Sequence, residues 1–165
     1  MASIEETIKW TIQQQYEGKR IGFVCSCFDL LHAGHYLMLK DSKDQCDVLM
    51  VGLQTDPTID EDYRVSTDGK NKNKPIQDYT ERFIQINGCK YVDFVAKYES
   101  ENELYELIKS VNPHIRILGS DWEGKKYTGW DLPTPIHFHR RDHDYSTSNL
   151  RNRIYQAEAK KNEFK

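Results

Sequence analysis

The chain has 165 residues, 38% hydrophobic and 30% charged, with a formal net charge of −3, a balance that fits a single folded domain and excludes a disordered one. A pI near 6.1 leaves no electrostatic footprint for nucleic acid, and no apolar run reaches the roughly 18 residues of a membrane span. The start MASIEETIKW is acidic and amphipathic, unlike a secretory signal, so a cytoplasmic protein is expected.

Ile4, Ile8, Ile12 and Tyr16 recur every fourth residue, one stripe of an amphipathic helix over 4–16. RIGFVCS (20–26) reads as a short buried strand and GHYLMLKDSKDQ (34–45) as the helix behind it. DVLMVGL (47–53) is a second unbroken apolar strand, followed by a long polar segment over 54–76. DYTERFIQINGC (78–89) is helical and ends near Gly88; KYVDFVA (90–96) is a third strand. SENELYELIKSVN (100–112) is a helix for which Ser100 and Glu103 make a capping box. HIRILG (114–119) and PIHFHR (135–140) are the fourth and fifth strands, and STSNLRNRIYQAEAKK (146–161) closes as a helix whose hydroxyls can cap its first turn. Cys25, Cys27, Cys46 and Cys89 form no CxxC pair, which argues against a zinc ribbon and for reduced thiols acting as small hydrophobes.

Strand alternates with helix, and the strands are apolar throughout. That pattern predicts an α/β domain with a five-stranded parallel sheet covered on both faces. Such sheets bind ligands at the carboxyl ends of strands, near the point where strand order reverses. The loops SCFDLLHAGH, 54–76 and RRDHDYSTS should therefore meet on one edge.

Neither GxGxxG nor GxxxxGK[ST] follows the first strand, which disfavours a dinucleotide fingerprint and a P-loop. The first turn instead places His32-Ala33-Gly34-His35 directly before a helix. A helix N-terminus carries unsatisfied N–H groups and about half a positive charge, so an anion is stabilised there. Two imidazoles can donate to that anion while Gly34 lets it approach the backbone. Three readings of the pair stand at this point: a phosphate-binding turn, half of a zinc site completed by His137, His139 and His143, or no specific role.

CFDLLHAGH resembles the HxGH signature of the nucleotidyltransferase superfamily, and more narrowly the cytidylyltransferases, whose turn reads G-T-F-D-L-L-H-x-G-H. GSDWEGK (119–125) resembles a segment of the bacterial glycerol-3-phosphate cytidylyltransferases. RDHDYSTSNLR lies where that family has R-T-x-G-I-S-T-T before its last helix. The resemblance runs in order over residues 20 to 155. It implies a Rossmann-like three-layer sandwich: an N-terminal helical extension over 1–20, a nucleotidyltransferase domain over 21–157, and a tail over 158–165. It further implies transfer of CMP from CTP to a small phosphorylated alcohol such as glycerol 3-phosphate, with pyrophosphate leaving, Mg²⁺ bound with the nucleotide, and a homodimer.

Residue by residue, the resemblance implies that His32 and His35 donate to the α- and β-phosphates and that Arg141 adds a planar fork. Ser146, Thr147 and Ser148 offer hydroxyls and a second helix N-terminus; Cys27, Phe28 and Gly34 bring turn backbone to the nucleotide. Lys74, with Lys70 and Lys72 beside it, closes over the substrates, Arg82 in YTER takes the family's arginine position, and Asp121 and Trp122 shape a base or acceptor pocket. Asp29 orients the turn or helps hold Mg²⁺ through water. Two departures point to a different acceptor: Cys27 replaces a threonine, and Asp142-His143-Asp144-Tyr145 replaces T-x-G-I. The rival readings are an adenylyltransferase acting on a sugar phosphate, a catalytically inactive nucleotide-binding module, and a zinc protein.

Overall fold

The computed structural model describes residues 2–59 and 73–163; Lys70 and Lys72 lie outside the described residues. The expected five strands form: β1 (Ile21–Ser26), β2 (Val48–Gln54), β3 (Phe94–Tyr98), β4 (Ile115–Gly119) and β5 (Ile136–His139). They pair in parallel throughout, in the order β3-β2-β1-β4-β5. The order reverses between β1 and β4, so the crossover helices divide between the two faces. One face carries α1 (Ile4–Tyr16) and α4 (Glu101–Val111), the other α2 (Ala33–Asp44) and α3 (Tyr79–Asn87).

Two cores explain the unbroken apolar runs. Side chains alternate across a strand, and here both sides are buried. Ile21, Phe23, Val48, Met50 and Ala96 pack with Leu104, Leu107, Ile108 and Val111 of α4. Val24, Leu49, Val51, Val95 and Ile117 pack with Leu39 of α2 and Ile86 of α3. The sheet is thus the middle of three layers, the Rossmann-like sandwich. None of the four cysteines forms a disulfide.

Several local expectations are corrected. Helix α1 has the expected span, but its Ile4, Ile8, Ile12 and Tyr16 stripe faces outward, Tyr16 being 89% exposed. Its buried residues are Thr7, Thr11 and Gln14. The two threonines donate to carbonyls four residues back, at 2.9 Å each, which satisfies their hydroxyls and lets them be buried, while Trp10 stacks on Phe94 with centroids 4.9 Å apart. At α4, Ser100 Oγ accepts from the Glu103 amide at 3.2 Å, but the Glu103 carboxylate reaches the Glu99 amide at 2.8 Å instead of closing the box. Strand β3 begins at Phe94, because 90–93 form a turn. The last helix, α5, runs Thr147–Glu163, so the expected tail from 158 starts inside it. Among the described residues no helix is long and apolar enough to cross a membrane.

Arg82 is the largest correction. It was expected near the nucleotide, yet it is 1% exposed and its donors are spent on backbone carbonyls. Nε donates to Gln77 O at 3.1 Å, Nη1 to Cys27 O and Gln54 O at 2.7 Å each, and Nη2 to Thr55 O. One guanidinium thereby ties the end of β1, the end of β2 and the entry to α3. Removing it would leave buried carbonyls without donors, each costing ~1–3 kcal/mol. Arg82→Met is expected to lower the unfolding free energy by at least ~3 kcal/mol, read from the urea midpoint; a change under ~1 kcal/mol would show that water replaces the clamp.

Candidate active site

Past β1 the backbone turns through two left-handed residues, Phe28 (φ 48°) and Leu30 (φ 49°), a conformation that side-chain-bearing residues adopt only when surroundings impose it. Asp29 between them is 6% exposed. Its Oδ1 accepts from the Ile76 and Gln77 amides at 3.0 Å each, and its Oδ2 from Arg151 Nη2 at 2.6 Å. Burial pushes this carboxyl up, but the two amides and the Arg151 guanidinium outweigh it and hold its pKa below the ordinary value. Gln77 Oε1 accepts from Leu30 N at 2.9 Å. Asp29 is therefore an orienter of the turn, and its oxygens are already engaged.

The two imidazoles follow as N-cap and third residue of α2. His32 Nδ1 accepts from the Gly34 amide at 3.1 Å and His35 Nδ1 from the His32 amide at 3.4 Å. An accepting Nδ1 places the proton of a neutral ring on Nε2. Both histidines thus present Nε2–H donors, with rings stacked at 3.9 Å. His32 Nε2 meets Thr147 Oγ1 at 3.3 Å; no hydrogen bond among the described residues uses His35 Nε2. Burial lowers the pKa of His32, assisted by His143 and Arg141. Burial, with His32 and Arg141 nearby, takes His35 down to about 3. Phe28, 1% exposed, braces the His35 ring at 5.3 Å between centroids.

The opposite wall is the start of α5. Ser146 caps it, its Oγ accepting from the Asn149 amide at 3.1 Å. Thr147 Oγ1 also lies 3.4 Å from Asp29 O. The first N–H groups of α5 have no intrahelical acceptor, so two helix N-termini converge with the imidazoles between them. Arg141 is exposed and meets Asp121 Oδ1 at 3.5 Å, a weak surface pairing that an anion can displace. A Cβ at Gly34 would lie 3.0 Å from His32 Cε1, His143 Cε1 and Tyr145 O, so a larger residue there requires these neighbours to shift.

Two adjoining cavities open on this edge. The first, of about 340 Å³, is bounded by His32, Gly34, Gly119, Arg141, His143 and Ser146. The second, of about 380 Å³, runs over the ends of β1, β3 and β4 and is bounded by Cys27, Phe28, Asp29, Tyr98, Arg116 and Arg151. His35, Trp122, Thr147 and Ser148 line both. His35 stands where one cavity passes into the other.

Most of the expected residues come together here: His32, Gly34, His35, Trp122, Arg141, Ser146, Thr147 and Ser148, with Cys27 and Phe28 on the larger side, while Asp121 lines neither cavity and meets the set through its pairing with Arg141. Lys74 is exposed and lines neither cavity; its carbonyl accepts from Arg151 Nη2 at 3.1 Å. The zinc reading is not supported. His137 Nε2 and His139 Nδ1 both bond Asp41 Oδ2, at 2.9 and 2.8 Å, and among the described residues no group of three or more His, Cys, Asp or Glu is placed to hold a metal. Three residues escaped sequence reasoning as site members. Arg151 pins Asp29 from α5. His143, read from the sequence as a departure from the family pattern and as a candidate zinc ligand, accepts from the Tyr145 amide through Nδ1 at 3.2 Å and buries an Nε2 without a partner among the described residues. Arg116, within the stretch HIRILG that reads only as a strand, lines the larger cavity.

A doubly wound parallel sheet with paired imidazole donors between two helix N-termini at its switch point is a nucleotide-handling α/β protein that works on phosphates. The chain belongs to the cytidylyltransferase-like family, whose model matches residues 23–153, and so to the nucleotidyltransferase superfamily. Over 156 residues it is 32% identical to the bifunctional protein HldE of Aliarcobacter butzleri, covering 94% of this chain and 31% of that protein. The HldE of Wolinella succinogenes is 36% identical over 120 residues, covering 73% of this chain and 24% of its own length. The chain thus spans less than a third of these relatives. A lipopolysaccharide core biosynthesis protein from Thermoplasma volcanium superposes with a TM-score of 0.57 at 26% identity, over 78% of this chain and all of that one. A pantoate-beta-alanine ligase from Francisella tularensis, at 18% identity and a TM-score of 0.60 over 92% of this chain and 72% of that one, shares the fold. The resemblance holds at the level of the family; these relatives carry names other than glycerol-3-phosphate cytidylyltransferase.

The depressed His35 pKa has a thermodynamic consequence. Unfolded, the ring takes a proton near its ordinary 6.5; folded, it does so only at about 3. Between those values the unfolded state binds more protons, so stability falls as pH falls, by up to about 1.4 kcal/mol per pH unit for one group. His32 acts in the same direction, whereas Asp29 and Asp41, lowered from 3.8, contribute losses only at lower pH. Urea unfolding between pH 6.5 and 4.5 should therefore show a shallower slope for His35→Gln than for the wild type; equal slopes would contradict the buried neutral ring.

Proposed function

We propose that the chain transfers a nucleoside monophosphate from a nucleoside triphosphate to the phosphate of a phosphorylated sugar or polyol, releasing pyrophosphate. The observation that carries this reading is the pair of tautomer-locked Nε2–H donors, His32 and His35, with His35 at the junction of two cavities. The triphosphate would lie in the cavity of His32, Gly34 and Arg141, over the two helix N-termini. The acceptor would lie in the larger cavity, with its phosphate beside His35.

In the step itself, an acceptor phosphate oxygen forms a new P–O bond to the α-phosphorus and the bond to the bridging α,β-oxygen breaks. The electron pair leaves on pyrophosphate. A phosphate monoester with a second pKa near about 6 is already largely dianionic, so no general base is required. The task is electrostatic: relief of repulsion between two anions and stabilisation of charge on the equatorial and leaving oxygens. His35 and His32 would donate to those oxygens and Arg141 would add a charged fork. The family's Mg²⁺ would ride on the nucleotide phosphates, since Asp29 is engaged elsewhere and Mg²⁺ keeps few protein ligands in such sites; it would supply further charge neutralisation.

The turn signature supports CTP as donor, and a homodimer is carried over on the same ground. The likeness to a lipopolysaccharide core biosynthesis protein supports a sugar phosphate as acceptor and keeps ATP as the rival donor, because phosphate contacts do not select the base. Pyrophosphate release, measured for each of the four nucleotides with Mg²⁺ and a panel of phosphorylated polyols and sugars, tests the proposal. Turnover with one donor is expected, falling about a hundredfold or more in His35→Ala. Failure of every donor and acceptor pair to release pyrophosphate above blank would overturn it, and nucleotide binding without turnover would favour the inactive binding module.

A further inference from the structure

The groups assigned above to phosphate can all donate hydrogen bonds; one imidazole on the same cavity is set up to accept. His139 closes β5, is 7% exposed and borders the smaller cavity. Its Nδ1 lies 2.8 Å from Asp41 Oδ2 on α2, and His137 Nε2 lies 2.9 Å from the same oxygen. Burial pushes the Asp41 carboxyl up, but the hydrogen bonds from His139 and His137 outweigh it and hold its pKa below the ordinary value. An ionised carboxylate only accepts, so the His139 proton sits on Nδ1, and in the neutral ring Nε2 is a bare lone pair. That Nε2 is buried without a partner among the described residues, a state that folded proteins rarely leave unused. His143 is its complement. Its Nδ1 accepts from the Tyr145 amide at 3.2 Å, so the neutral ring carries its proton on Nε2, which is also buried without a partner among the described residues. The two ring centroids stand 6.4 Å apart. One wall thus offers an acceptor and a donor, each fixed by a different partner.

An ionised phosphate only accepts; it would suit His143 and set an oxygen against the His139 lone pair. Val24, Met38, Ile117 and Leu118 border the same cavity, so a ring covered in hydroxyls would leave most of its oxygens against apolar surface. A nucleobase matches, with flat apolar faces and one polar edge. CTP and ATP, the nucleotides that the proposed transfer admits, both carry an exocyclic amine beside an unprotonated ring nitrogen. UTP and inosine triphosphate reverse that edge, placing a carbonyl beside an N–H. We propose that His139, oriented by Asp41, accepts from the exocyclic amine of the nucleotide's base while His143 donates to the adjacent ring nitrogen. The pair selects an amino-bearing base against its oxo counterpart. The inference rests on the nucleotidyl transfer proposed above and supplies the base selection that phosphate contacts do not.

The test compares kcat/KM for CTP with that for UTP, and for ATP with that for inosine triphosphate. The wild type is expected to favour the amino member by about tenfold or more, since the oxo member mismatches both imidazoles. His139→Leu, which leaves Asp41 paired with His137, should bring the ratio within about threefold. Asp41→Asn, which frees the ring to carry its proton on Nε2, should do the same and serves if His139→Leu fails to fold. Inhibition by inorganic tripolyphosphate, which has no base, should stay within about threefold in both variants; a larger loss would mark general damage to the site and overturn the assignment. The 2′- and 3′-deoxynucleotides should depend on His139 as the ribonucleotides do; loss of that dependence would give the acceptor to a ribose hydroxyl and overturn the base reading. No amino preference in the wild type, or a preference that persists in the folded variants, would overturn it while leaving transfer intact. Calorimetric titration of the nucleotides alone separates the two claims: a His139-dependent amino preference in binding, without turnover of any acceptor, would keep the base selection and overturn the transfer. Absence of nucleotide binding would overturn both.

Discussion

The site depends on one constraint: the backbone between β1 and α2 must be held in a shape it would not adopt alone. Phe28 and Leu30 both sit at positive φ, and neither has glycine's freedom. What imposes the shape is buried polar chemistry from distant segments. Arg82 draws Cys27 O toward Gln54 O and Thr55 O, and Asp29 gathers the amides of Ile76 and Gln77 with the Arg151 guanidinium. The entry to α3 and the first turns of α5 thus converge on one turn. Because every lone pair is directed, the turn has little latitude, and the angle at which α2 begins is fixed with it.

From that angle the tautomers follow. The first amides of α2 need acceptors, and the Nδ1 atoms of His32 and His35 supply them. Capping the helix and defining the Nε2–H donors are therefore one arrangement. Burial then keeps the rings neutral, so each remains a directional donor instead of a diffuse charge. Two cavities meeting at His35 is the geometric counterpart: a group placed there can reach atoms on both sides of a bond being exchanged.

The strands were legible because both faces of the sheet are buried, which leaves apolar runs with no competing period. The shared edge was legible too, since parallel order brings the ends of β1, β4 and β5 together. What sequence could not show were matters of partnership. The Ile4, Ile8, Ile12 and Tyr16 stripe looks like a buried face, but whether it or the Thr7 and Thr11 face meets the sheet depends on what α4 presents, Trp10 settling against Phe94. Arg82 looks like a surface arginine because the carbonyls that consume it come from segments far apart in sequence. The histidine pair was visible as a motif and its protonation was not, since that depends on local burial and on Arg141. Arg116 gave no periodic signal; only the structure shows it buried at 2% exposure on the wall of a cavity.

A site for two anions would be expected to gather fixed positive charge, and the distribution here is more selective. The buried arginines, Arg82 and Arg116, do not border the smaller cavity, and Arg141, which does, is exposed and only loosely held by Asp121. Along the smaller cavity and at its junction with the larger, the donors are neutral: two imidazoles and the first amides of α5. Neutral donors carry no Born cost in the empty site and need no counter-ion to be displaced before substrate enters. Their hydrogen bonds strengthen as negative charge concentrates on the oxygens they face. Such a site would give modest affinity to a resting anion and more to a transition state whose charge has shifted, which is the difference that the proposed transfer requires.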